Sequence, residues 1–187
     1  MKNLLYLLVL LLGVTIFSCD DDEATDSSNI LFFDAGPNSA PIFQAGTFEA
    51  AARFPRSLTS TFTGQSLVEV EFFLVNTPSN TFVRIYDEGT GDTPGDLLYE
   101  ANVTSTATAD SWNTHILDDP VAITGDELWI SIQFVHTEAR NTIGCDVGPA
   151  VTNGDWVSEG TGQNFETFRS FTDNAVSINW NIRGNVE

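Results

Sequence analysis

The chain has little positive charge. Lys and Arg number 7 against 26 Asp and Glu in 187 residues, a formal net charge of -19. Phosphate backbones are held by clustered cations, so this balance argues against a nucleic-acid partner and leaves cation binding open. Histidine is scarce too. His115 and His136 are the only two, without HxxxH or HxH spacing, which argues against a catalytic zinc site. Cysteine is limited to Cys19 and Cys145. Aromatics are not scarce: 14 Phe and 4 Trp are present. A disordered acidic chain would lack them, so most of the sequence is expected to fold, and its length suits one domain.

Long apolar runs are confined to the start. Leu4 to Phe17 carries no charge and follows Lys2. Fourteen helical residues rise about 21 Å, short of the ~30 Å hydrocarbon core, so a cleaved secretory signal over 1–18 is expected rather than a membrane span. The run ends Ile16-Phe17-Ser18-Cys19. A small residue followed directly by Cys resembles the lipobox of bacterial lipoproteins, although Phe17 is larger than the commonest residue at its place. The resemblance implies that Cys19 is acylated and becomes the first mature residue, with the membrane as a partner through that lipid.

Residues 19–29 are acidic and Ser-rich, beginning Cys19-Asp20-Asp21-Asp22-Glu23. This composition predicts a disordered tether that anionic lipid repels. The acidic run after the Cys resembles the export signal of surface lipoproteins in Bacteroidota, which implies display at the outer membrane.

Residues 30–187 show period-two alternation between turn signals, which predicts an all-β domain: a jelly-roll-like antiparallel β-sandwich. The clearest strand is Val176 to Arg183, with Val176, Ile178, Trp180 and Ile182 opposed to Ser177, Asn179 and Asn181. Glu127–Val135 and Ser66–Val75 repeat the pattern, the latter placing Val68, Val70, Phe72 and Leu74 on one face. Further strands are expected at Ile30–Asp34, Thr81–Tyr86, Leu97–Ala101, Trp112–Leu117 and Asp155–Ser158. Thr47–Phe54 is the nearest approach to a helix. Turns are expected at Asn76–Asn80, Asp87–Gly95, Asp118-Asp119-Pro120 and Thr124-Gly125-Asp126.

Several segments together look like a β-sandwich accessory module of secreted Bacteroidota proteins. They include Val83-Arg84-Ile85-Tyr86, Gly89 to Tyr99, Trp112-Asn113-Thr114, Glu127 to Ile132, Gly144 to Pro149, Gly154-Asp155-Trp156-Val157 and Asn179 to Gly184. The resemblance spans about Phe43 to Gly184 and implies an adhesive or accessory role without a catalytic residue. A single such module behind a lipid anchor, as expected here, would depart from that module's usual context.

Candidate chemistry is sparse. Cys145 lies among small and apolar residues and is expected to be a buried inert thiol. Glu69 and Glu71 share one strand face, but Phe72 and Phe73 interrupt the acid pattern of a jelly-roll glycoside hydrolase. No cofactor is expected beyond a structural calcium, for which Asp87, Glu88, Asp92 and Asp96 in one Gly-rich connection are the candidate ligands. A sugar presents an apolar face and a hydroxyl rim, which aromatic platforms beside polar groups match. Trp129, opposite Leu128 and Ile130 in the alternation, is expected to face outward. Trp112 and Trp156 adjoin loops, with Asp155 nearby, whereas Trp180 belongs to the core. The expected function is therefore non-enzymatic surface binding of a glycan or protein. A carbohydrate-active enzyme and a purely structural subunit are the alternatives.

Overall fold

The computed structural model describes residues 29–187 apart from Gln163. The expected signal peptide, Cys19 and almost all of the tether lie outside the described residues. No helix among the described residues is long and apolar enough to cross a membrane.

The protein is all-β. Its strands are β1 (Ile30–Leu31), β2 (Ile42–Phe43), β3 (Gly46–Phe54), β4 (Ser66–Leu74), β5 (Asn80–Tyr86), β6 (Leu97–Asn102), β7 (Ser111–Ala122), β8 (Leu128–His136), β9 (Arg140–Asn141), β10 (Trp156–Glu159), β11 (Glu166–Thr167) and β12 (Ile182–Val186). Two single-turn helices, α1 (Arg56–Thr59) and α2 (Phe168–Phe171), interrupt them. One sheet runs β1-β12-β4-β7, the other β11-β10-β3-β8-β5-β6, and β2 pairs with β9. With β2, β9, β10 and β11 set aside, eight strands remain. One sheet takes the first, eighth, third and sixth, and the other the second, seventh, fourth and fifth, which is the order of a jelly roll. All the paired strands are antiparallel.

Alternation places the core. Leu67, Val70, Phe72, Leu74 and Ile182 from one sheet meet Phe48, Ala50, Ala52, Phe54, Ile130, Ile132 and Phe134 from the other. Burial of these side chains at about 25 cal/mol per Å² drives the two layers together. Trp180 is fully buried among them, as expected.

Four local expectations change. Thr47–Phe54 is not helical but forms β3, paired with β8 along its whole length. Its alanines fill both faces of a covered strand, where larger side chains would not fit. In β4, Val68 does not join the core face, because the register shifts between Leu67 and Glu69. That bulge changes the phase, so Leu67 is buried and Val68 only half-buried. Asp118-Asp119-Pro120 is not a free turn but lies inside β7, in the stretch opposite the bulge. β7 is an edge strand, so Pro120 removes no ladder bond. Finally, only Ile182 and Arg183 of Val176–Arg183 lie in a regular strand. Asn179 and Asn181, expected to face solvent, are buried and bonded to the carboxylates of Asp146 and Asp34.

Candidate functional site

The registers give the sandwich two distinguishable ends. At one end, Ile30 pairs with Asn185, and Ser66 bonds Glu187. At the other, Leu74 pairs with Ser111 and bridges Ile143. A cleft of about 530 Å³ opens at this second end, between the loop 37–40, Phe73 and Val75 at the end of β4, Asp110, and Asn141.

Its walls are tied in place. The amides of Asn38 and Ser39 both donate to the Cys145 carbonyl, at 2.9 and 3.2 Å, and the Cys145 amide returns a bond to Ser39 O. Asn141 Nδ2 donates to Ala40 O. Across the cleft, Asn113 clamps the preceding turn. Its Oδ1 accepts from Thr108 N at 2.6 Å, and its Nδ2 donates to Thr108 O and Ser111 O. Asp110 sits in this turn with φ 53°, a left-handed conformation that Asp tolerates better than most residues. Such a cleft is preorganised, which lowers the entropy lost on binding.

Beside the cleft lies an aromatic platform on the outer face of the four-stranded sheet. Phe73 and Trp112 meet edge to face at 5.8 Å. The guanidinium of Arg183 stacks 4.2 Å from the Trp112 ring and 5.5 Å from Phe32. Arg183 is itself held by Asp34, with Nε to Oδ2 at 3.0 Å and Nη2 to Oδ1 at 2.8 Å. Bonding to Asp34 raises the Arg183 pKa further, so it stays charged. Asp34 also accepts from Asn181 Nδ2 and Gly36 N, so one buried carboxylate positions the platform and the root of the cleft loop together. Asp146 does the same for Ala35, Gly148 and Asn179. Asp34, Asp146 and Arg183 were not singled out by sequence reasoning. Their signal is faint: acids and asparagines at positions where a plain strand would be apolar or exposed.

The other sequence-predicted residues have different surroundings. Trp129 does project from the sheet face opposite Leu128 and Ile130, but it is not exposed. With 0% of its surface accessible, it packs with Ala51, Tyr86, Trp156 and Phe165, and its Nε1 donates to Glu127. Trp156 lies in the same cluster. Arg53 covers both rings, at 5.1 and 5.5 Å. These two tryptophans form a second small core outside the six-stranded sheet rather than an open platform. Asp155 is fully buried and takes a bidentate bond from Arg169 at 2.9 Å to each oxygen, which ties α2 to β10. Trp112 alone among the candidate tryptophans is only half-buried.

The acids of the 87–96 loop do not converge. Asp87 accepts from Asp96 N at 2.6 Å, Glu88 pairs with Arg56 at 3.0 Å, and Asp92 lies 3.9 Å from Arg53. Among the described residues no group of three or more His, Cys, Asp or Glu is placed to hold a metal ion. Glu69 bonds Asn185 at 2.5 Å on the outer sheet face. Cys145 is buried and its thiol is pushed up by burial, so it stays protonated.

A further buried carboxylate, Glu49, escaped the sequence reading because it fell in the supposed helix. It lies on the outer face of the six-stranded sheet under Gly162. Tyr86 Oη donates to it at 2.9 Å, Ser131 Oγ at 2.5 Å and Gly162 N at 2.7 Å, with Arg84 at 3.9 Å. Burial pushes its carboxyl above the ordinary range, against the pull of these donors.

No family model matches the chain, and no curated protein does. Among solved structures it is similar to the cysteine protease and lectin-like domains of Cwp84, a surface layer associated protein of Clostridium difficile. The TM-score is 0.47 at 14% sequence identity. That similarity covers 83% of this chain but only 37% of the other.

Proposed function

We propose that this chain is a non-enzymatic, lipid-anchored protein of the outer-membrane surface. In this reading its sandwich binds a glycan or a protein through the cleft beside Phe73 and Trp112. The observation that carries the reading is the placement of that cleft. The chain from Cys19 arrives at Ile30, at the Asn185 end of the four-stranded sheet, and the cleft opens at the Leu74 end. An anchor on Cys19 would join the sandwich at the pole opposite the cleft, which supports presentation of the cleft away from the bilayer. Each buried CH₂ of an acyl chain contributes about 0.8 kcal/mol, so two or more chains hold the protein durably.

The test is capture of cell-surface glycans and proteins by the purified protein, compared with Trp112→Ala. Retained folding with lost capture is the expected result. Equal capture by the variant rules out the Trp112 platform as the contact surface. Release of new sugar ends from a polysaccharide by the wild type rules out the non-enzymatic reading in favour of a carbohydrate-active enzyme.

A further inference from the structure

The lining of the cleft selects among ligand chemistries. We propose that the cleft takes a neutral, hydroxyl-rich saccharide, an inference that rests on the cleft being the binding site. Its volume of about 530 Å³ falls within the ordinary range for small-molecule sites. Phe73 supplies a ring against which the C–H face of a sugar packs. Asn38, Ser39, Asp110 and Asn141 add amide, hydroxyl and carboxylate groups around it. A carboxylate accepts from two neighbouring hydroxyls, and an amide both donates and accepts, which is the pattern a hydroxyl rim requires.

Among the described residues no basic side chain lines the cleft. The nearby Arg183 commits its fork to Asp34 and lies flat on Trp112. Arg140, beside the lining Asn141, is paired with Glu138, so an anionic sugar or a phosphate would meet Asp110 and a chain of net charge -19 with its nearest cations already engaged. Asn38 and Asp110 are both exposed, so neither is needed for packing, and the bonds of their loops hold them beside the cleft.

The experiment is an array of neutral and acidic oligosaccharides probed with the full-length protein in detergent, beside Asn38→Ala and Asp110→Asn. Asn accepts the left-handed backbone at position 110, so that variant keeps its fold. Binding confined to neutral sugars is expected, weakened about tenfold by either variant, the loss of roughly one strong hydrogen bond. Acidic sugars bound as well or better, and weakened by the same variants, overturn the ligand class and keep the cleft. A protein partner lost in both variants, with no sugar bound, does the same. Neutral sugars bound equally by all three proteins overturn the cleft itself. Binding in no arm removes both.

Discussion

Glu49 shows how a single residue sets the character of a covered sheet face. A carboxylate with no accessible surface persists only where donors surround it, and Tyr86, Ser131 and Gly162 do so. Burial still raises its pKa above the ordinary 4.5. A raised carboxyl binds its proton more tightly in the folded chain than in the unfolded one. Its contribution to stability is therefore complete below 4.5 and is lost as the pH climbs through the raised value. Glu49→Gln has no such proton to lose. The melting temperature of the wild type should fall relative to that of Glu49→Gln as the pH rises from about 4 to about 8. Parallel calorimetric curves would show that the carboxyl is not perturbed. The tryptophans separate at the same scale. Trp129→Ala empties a fully buried site and should cost about 3–5 kcal/mol in chemical denaturation. Trp112→Ala removes a half-buried ring and one cation–π contact, about 1–2 kcal/mol. Equal costs would mean that Trp112 is a core residue and no platform.

At the scale of elements, the alternating strands were the legible part. β4, β5, β6 and β8 stand within a residue or two of where period-two patterning placed them. Patterning failed where a strand is covered on both faces. β3 reads Glu-Ala-Ala-Ala in its middle, which carries no alternation because both sides are buried. It failed again in Asn179 and Asn181, whose polarity signalled solvent but serves buried carboxylates. The cleft itself was not legible. Trp112, in the platform beside it, was named from its loop neighbours, whereas Phe73, Asn38 and Asp110 come together only through long-range pairing of β4, β7 and the Cys145 segment. The 87–96 connection yields a separate prediction. Its acids bond Arg56, Arg53 and a backbone amide, and Gly89 lies so tight that an added Cβ would stand 1.8 Å from Thr93 O. Packing holds this loop. Chelation should move the melting temperature by less than about 1 °C, whereas Gly89→Ala should lower it by several degrees. A larger loss on chelation, restored by calcium, would establish a metal there.

Across the whole molecule, the jelly-roll order decides what the proposed anchor on Cys19 would do. Strands of such a sandwich run end to end, so the loops fall into two groups at opposite poles. The expected tether enters beside Asn185, and the cleft lies at the pole where Leu74 meets Ser111. Under the proposed anchor, eleven residues from Cys19 to Asn29 would span at most about 40 Å, more than a small domain's length, enough for the sandwich to stand clear of the headgroups with its far pole exposed. The acidic run favours that geometry, since an anionic surface repels it. Two measurements follow, one on the purified protein and one on intact cells. Mass spectrometry of the purified protein should find acylated Cys19 as the first residue, and an intact Met1 or a bare Cys19 thiol would remove the anchor. Protease added outside whole cells should cut within the tether and release the sandwich in one piece, because its strands lie in two packed sheets while residues 19–29 carry no aromatic anchor. Protection of the chain until the outer membrane is breached would place the cleft in the periplasm, where its ligand would have to be sought among periplasmic sugars and proteins.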